Sequence, residues 1–381
     1  MAWTTELHTI PPVPHERTTV TTPIPRWRGF NIVDLFSTSV RWKEFFPMAD
    51  GVVAEEDFIM IKELGFNFVR VPMSYLFFGT GAHGRTPDSA RLGLLDRAVE
   101  LGQKHKIHVM PAFHRAPGYC VTAGSPYDFP EKGNLFTDDE ELQDFTLWWR
   151  TLAERYADVG REDLSFDLLN EPFNVDDATF ERTFLPAIEA IEQVSPQRLI
   201  HVEGSYMVDF ETMSATLQPA PASISRRENV VNSVHLYHPF TLTHYECPWA
   251  EELVSADLEP PTWPYEPTLR PGVQRALSGP EAERWDKETL RTALKSYLDL
   301  AAAGYNVHIG EMGAYSAVPH DVYLDYTKDV ISLLDEYGLG FAMWNFRGPF
   351  GVVDTGRSDS RAEAFHGHQL DRALVDILRG A

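Results

Sequence analysis

A single (β/α)8 barrel is the fold this sequence predicts, on three observations. Short apolar, β-branched runs alternate with helix-periodic segments along all 381 residues, and such alternation implies parallel strands joined by right-handed crossovers. About eight strand–helix pairs in a chain of this length suit a closed barrel better than an open doubly wound sheet. Polar residues repeatedly end the apolar strands, and in a parallel barrel those ends share one rim. Length alone would suggest two or three domains, but barrels routinely exceed the usual domain size as one unit. No internal repeat or low-complexity tract argues otherwise. The expected organisation is an N-terminal arm over residues 1–25 and one barrel over 26–381, with a long loop insertion at 238–285.

The elements follow in chain order. Trp27 to Val33 reads as a first short strand, and Asp34 to Asp50 as a long aromatic loop. Ala54 to Leu64 has helical spacing. Phe66 to Pro72 is a second strand, rich in aromatic and β-branched residues and stopped by its proline. Ser89 to His105 is helical, with Leu92, Leu95, Val99 and Leu101 at its apolar positions. Ile107 to Phe113 is the third strand and ends at His114. Thr137 and Glu140 spell a capping box opening a helix to Tyr156, with Leu142, Phe145, Trp149, Leu152 and Tyr156 on one face. A fourth strand from Phe166 ends abruptly in Asn170-Glu171-Pro172, because proline cannot continue a central strand. A helix from Ala178 to Val194 precedes strands at Leu199–Val202 and Val230–Leu236. The stretch from His238 to Trp285 is dense in proline and aromatic residues; a structureless connection of that length is usually functional or disordered. Leu290, Leu294, Tyr297, Leu298 and Ala301 then mark a helix before the strand Asn306–Gly310. A helix from Val322 to Tyr337, a strand from Gly340 to Asn345 and a helix from Ala364 to Leu378 close the chain.

The formal net charge of −23 disfavours nucleic acid and anionic membrane surfaces as partners, whereas a neutral substrate is indifferent to that field. Two cysteines, Cys120 and Cys247, make neither a disulfide scaffold nor a closed zinc site. No apolar stretch reaches membrane-spanning length, and the first 25 residues lack a basic-then-apolar leader. A cytoplasmic location is expected, or secretion if a leader has been removed.

The strand ends carry the chemistry. Arg70 follows the second strand, His114 the third, Asn170 and Glu171 the fourth, His235 and Tyr237 the sixth, Glu311 the seventh and Trp344 the eighth. Any one alone is more often structural; together they converge on one rim. Two glutamates there suit glycoside hydrolysis, in which one carboxyl gives a proton to the leaving oxygen while the other attacks or activates water. A separation of ~5 Å means retention of anomeric configuration and ~6.5–9.5 Å means inversion.

The chain resembles glycoside hydrolase family 5, the cellulase-like clan of retaining β-glycosidases. The resemblance rests on Arg70 in NFVRVP, His114 in AFHRAP, Asn170-Glu171-Pro172 in LLNEP, His235 and Tyr237 in VHLYHP, Glu311 in IGEMG and Trp344 in FAMWNF. It implies that Glu171 is the acid/base, Glu311 the nucleophile, and Asn170 the partner of the 2-hydroxyl at the cleavage point. Tyr237 and Arg70 would hold Glu311 ionised, His114 and His235 would line the subsite, and Trp344 would be its apolar floor. No metal or organic cofactor is required. The implied substrate is a β-linked glucan or mannan, cleaved in endo-β-1,4-glucanase fashion. The rivals are exo action on short oligosaccharides by a β-glucosidase, β-mannosidase or β-1,3-glucanase, and a binding barrel without turnover. The insertion after His238 and the run Arg115 to Phe136 bear on that choice.

Three weaker signals remain. Gly79 to Gly84 spells Gly-x-Gly-x-x-Gly but opens no helix, so a barrel loop is the better reading than a dinucleotide site. His235, His238, His244 and Glu246 could be read as metal ligands, on poor spacing. Trp249, Trp263 and Tyr265 are either plugs of the insertion or sugar-stacking platforms.

Overall fold

Eight parallel strands close on themselves in the computed structural model, which describes residues 21–36, 46, 49–81, 84–123, 130–209, 214–250, 254 and 256–380. They are β1 Arg28–Asn31, β2 Phe68–Ser74, β3 His108–Ala116, β4 Ser165–Asp167, β5 Leu199–Glu203, β6 Val230–Leu236, β7 Asn306–Met312 and β8 Gly340–Met343. Each pairs in parallel with its sequence neighbours, and β8 pairs with β1 to shut the barrel. Gly29 on β1 is required by that closure: a Cβ there would lie 1.7 Å from the Phe68 carbonyl oxygen.

Helices between the strands bury their apolar faces against the barrel wall. They include α1 Glu55–Glu63, α2 Ser89–His105, α3 Asp139–Arg155, α4 Asp177–Val194, α5 Lys287–Ala293, α6 Lys295–Ala302, α7 His320–Tyr337 and α8 Arg372–Arg379. Asp88 and Asp176 cap α2 and α4 by accepting from backbone amides of their first turns. Trp148 and Trp149 of α3 are fully buried, and the Trp149 indole donates to the Leu168 carbonyl just past β4.

The amino end of the bore is plugged by Trp27, Phe68, Met110, Leu199, Val231 and Ala342. His108 stacks on Trp27 at 3.8 Å and His308 lies 4.7 Å from Phe68. Burial pushes both imidazoles down to about 3, so they sit there uncharged. Thr21 and Ile24 dock on this end through Gly304 and Asn306. The rest of the expected arm, residues 1–20, falls outside the described residues. Only the carboxyl rim is left open for chemistry.

Three local expectations need correction. Pro72 does not stop its strand, which runs on to Ser74. Ile32 donates to the Arg70 carbonyl, so Arg70 and Pro72 both face β1, and β1 has already ended at Asn31. The Thr137–Glu140 capping box does not form: the Thr137 hydroxyl donates to Asp138, which precedes α3 without capping it. The segment from Ala364 is first a hairpin, Glu363–Phe365 against His368–Leu370, because His366 and Gly367 both take positive φ; the helix starts only at Arg372. The insertion is ordered over its described part, with buried Tyr265 exchanging backbone hydrogen bonds with Trp285.

Candidate active site

Arg70 organises the rim. Fully buried on β2, its guanidinium donates from Nε to Asp167 Oδ2 at 2.8 Å. Nη1 reaches Asn31 Oδ1 at 3.0 Å and Glu311 Oε1 at 2.5 Å, and Nη2 reaches Asn170 Oδ1 at 2.9 Å and Glu203 Oε1 at 3.1 Å. This planar fork of donors is what a lysine cannot supply. Asn31 is itself fixed, because its amide nitrogen donates to the Gly310 and Met343 carbonyls.

His235 lies between three carboxylates. Its Nδ1 is 2.8 Å from Glu171 Oε1 and 3.5 Å from Glu311 Oε2, and its Nε2 is 3.0 Å from Glu203 Oε1. A register shift between Val234 and His235 sets the histidine opposite Glu311 on β7, the re-aiming that bulges provide. The Tyr237 hydroxyl donates to Glu311 Oε2 at 2.8 Å. Glu171 holds the left-handed backbone region with φ of 49°, uncommon for any residue but glycine. Its amide donates to Glu203 Oε2 at 2.7 Å, and Tyr119 donates to its carbonyl. That pair of bonds fixes the backbone that aims its carboxyl.

The electrostatics follow from burial and these partners. Burial pushes the Glu311 carboxyl up to about 7, against the pull of His235 and Arg70 and with the help of Glu171 and Glu203. The expectation that Arg70 and Tyr237 leave Glu311 with a low pKa is therefore corrected: desolvation outweighs its donors. Burial would lower His235, but the charges of Glu203 and Glu311 raise it well above its ordinary value, so it is an imidazolium. Burial opposes the ionised form of Glu203 too, yet His235, Arg70 and the Glu171 amide hold it down to about 2. Burial raises Asp167, with Glu203 adding to the effect and Arg70 opposing it.

Glu171, His235 and Glu311 each place a potential ligand atom within 4.8 Å of the others, close enough to be weighed as a metal site. The donor set does not fit one: both His235 ring nitrogens lie against carboxylates, Nδ1 on Glu171 and Nε2 3.0 Å from Glu203, and an imidazolium keeps no lone pair for an ion. The looser histidine set does not assemble either. His244 stacks on Phe240 at 3.8 Å and pairs with Thr243, while Glu246 pairs with Arg270.

His114 and Trp344 complete the rim, both buried, with ring centroids 6.0 Å apart. Behind Trp344 stand Phe36, Phe46 and Phe350, and Trp249 packs into the same cluster. Trp263 lies edge-on to Tyr326, with its indole donating to Asp329, and Tyr265 is buried. Of the three aromatic residues weighed as plugs or platforms, Tyr265 is buried as a plug, while Trp249 and Trp263 are half-buried and packed on other rings. Cys120 and Cys247 are both buried and are not bridged to each other.

The cellulase family, glycosyl hydrolase family 5, has a sequence profile that matches residues 25–348. The chain belongs to glycosyl hydrolase family 5. It is a glycoside hydrolase of endoglucanase-like sequence. Endoglucanase C of Acetivibrio thermocellus is 27% identical over 308 residues, spanning 78% of this chain and 85% of that one. Cellodextrinase A of Ruminococcus flavefaciens is 25% identical over 296 residues, 76% of this chain and 77% of that one. Among solved structures, a glycoside hydrolase superposes with a TM-score of 0.75 at 30% identity, covering 93% of this chain and 98% of the other. Among the described residues, no helix is long and apolar enough to cross a membrane.

All eight residues singled out from the sequence stand on this family 5 rim. Sequence reasoning missed Asn31, Asp167 and Glu203. Glu203 ends β5 as Glu311 ends an apolar run on β7, so the same strand-end rule would have found it.

Proposed function

We propose that the chain hydrolyses β-linked glucan- or mannan-type saccharides with retention of configuration, in one catalytic barrel over residues 26–381. The observation that carries this reading is the short approach of the two glutamates, whose carboxylate oxygens lie within 4.8 Å of each other. That spacing suits the retaining geometry and leaves no room for the water an inverting enzyme must hold. Glu311 attacks the anomeric carbon as Glu171 passes its proton to the departing glycosidic oxygen. The carbon–oxygen bond breaks and a glycosyl ester forms on Glu311. Water then gives a proton to Glu171, its oxygen attacks the same carbon, and the ester bond to Glu311 breaks.

Asn170, held by Arg70, meets the 2-hydroxyl, while Trp344 and His114 shape the floor under the sugar. Endo-acting β-1,4-glucanase activity is the form favoured by the sequence relatives, which include endoglucanases and a cellodextrinase. The test is hydrolysis of aryl β-glycosides and cello- and manno-oligosaccharides by wild type, Glu171→Ala and Glu311→Ala, with the first-formed anomer read by NMR. Loss in both variants and a β-anomer first are expected. An α-anomer first, or an active Glu311→Ala, overturns the mechanism.

A further inference from the structure

The turn that carries Glu171 is gripped by a side chain from the neighbouring strand. At the end of β3 the chain reverses, and Tyr119–Cys120 runs back antiparallel on it, with Cys120 opposite Arg115 and Tyr119 opposite Ala116. Pro117 and Gly118 make the reversal. Proline suits the first central position of such a turn, and Gly118, with φ of 72°, takes the positive φ of the second. A Cβ at Gly118 would also lie 2.6 Å from the Leu135 amide, which donates to the Gly118 carbonyl at 3.0 Å. Tyr119 and Glu171 are 52 residues apart, so no local signal in the sequence joins them.

The hydroxyl delivered in this way works on both sides of Pro172. It donates to the Glu171 carbonyl and accepts from the Phe173 backbone amide. Proline interrupts the ladder here because it has no N–H, and Glu171 beside it holds its φ of 49°. A left-handed backbone at such a residue persists only where its surroundings over-determine it. They do: Glu203 takes the Glu171 amide, the Pro172 carbonyl accepts from the Tyr206 amide at 2.8 Å, and Tyr119 holds the carbonyl before the proline and the amide after it.

We propose that Tyr119 is a positioning residue for the reaction, its hydroxyl locking the Glu171–Phe173 turn so that the Glu171 carboxyl is aimed at the departing glycosidic oxygen. This rests on the acid/base role of Glu171 proposed above. The loop that carries the tyrosine is anchored away from the turn as well. Glu131 pairs with buried Arg115 and accepts from the Tyr75 hydroxyl at 3.2 Å, and the Tyr119 ring meets Phe136 edge-on at 5.0 Å. Burial raises the Tyr119 phenol well above its ordinary value, with the charge of Glu171 adding to the effect, so the hydroxyl keeps the proton it donates. Aim matters for one half of the chemistry more than the other. Proton transfer needs an acid within hydrogen-bond reach of the leaving oxygen, whereas Glu311 attacks from β7, which this turn does not hold. Loss of the hydroxyl therefore slows a substrate in proportion to the proton its leaving group needs.

The experiment compares kcat/KM on cellotetraose, whose leaving sugar must be protonated, with kcat/KM on 2,4-dinitrophenyl β-cellobioside, whose leaving group departs as the anion. Wild type, Tyr119→Phe and Glu171→Ala are measured on both probes. Tyr119→Phe keeps the ring that packs on Phe136 and removes only the hydroxyl. The ratio of cellotetraose to dinitrophenyl substrate is expected to fall about tenfold in Tyr119→Phe, against about 100-fold or more in Glu171→Ala, the lower end of what a positioned acid contributes. A ratio that falls in Glu171→Ala but not in Tyr119→Phe overturns the positioning role and leaves the acid/base reading standing, whether both Tyr119→Phe rates drop together through poorer folding or neither drops. A ratio unchanged in Glu171→Ala overturns the acid/base reading, and the role of Tyr119 with it.

Discussion

The burial of Glu311 makes a prediction about stability that is independent of substrate. Its carboxyl is pushed from 4.5 to about 7 in the folded protein. A carboxyl raised in this way contributes stability that is fully present below the unfolded value near 4.5 and is lost as pH climbs through the folded value. The shift of about 2.5 pH units at about 1.4 kcal/mol each amounts to roughly 3 kcal/mol. Glu311→Gln keeps the shape but has no proton to lose. The stability of the variant relative to wild type should therefore grow by roughly 3 kcal/mol between pH 4.5 and pH 8. For a chain of this size that is about 4 °C in melting temperature. Thermal melts of both proteins at pH 4.5, 6 and 8 measure it. A melting-temperature difference that stays flat with pH would show that the carboxyl is not shifted, and one that shrinks as pH rises would show that the site stabilises the ionised carboxylate; either refutes the reasoning.

Three further outcomes are expected. Tyr237→Phe removes the hydroxyl that donates to Glu311 at 2.8 Å; losing a donor to the ionised form raises that carboxyl further. The acid limb of kcat/KM, near pH 7 in wild type, should move to higher pH. Glu203→Gln leaves one acceptor oxygen where Arg70, His235 and the Glu171 amide need two. A fall in kcat of about 100-fold, with KM changed much less, is expected from the misaimed acid, and steady-state kinetics read it. Arg70→Lys cannot meet Asp167, Asn170, Glu203 and Glu311 at once; a loss of about 3–5 kcal/mol in urea unfolding is expected, as for other broken buried ion pairs.

The fold was legible where periodicity and capping agree, as in Ser89–His105 and Val230–Leu236, whose bounds match the structure residue for residue. Legibility failed where the outcome depends on a tertiary neighbour. Pro72 stays in its strand because β1 ends early, a fact of pairing that no local rule contains. Thr137 looked like a cap because the spacing to Glu140 was right, but its hydroxyl had a nearer carboxylate in Asp138. The hairpin at His366-Gly367 was hidden by apolar residues at helical spacing. The rim was legible through its strand ends, whereas the direction of the Glu311 shift was not. Donors can be read from residue types, but the desolvation that outweighs them depends on how completely the barrel encloses the carboxyl.

Arg70 belongs to β2, yet its partners sit on or just beyond β1, β4, β5 and β7. One side chain thus ties five of the eight staves across the bore. Were the chain divided between β4 and β5, one half would carry the guanidinium with Asp167 and the other Glu203 with Glu311. Each fragment would keep only part of its charge pairing, Arg70 with Asp167 in one and His235 with Glu203 and Glu311 in the other. Closing the barrel and arming the site are in this sense a single event, so a half-built intermediate has neither a stable interior nor a nucleophile in place.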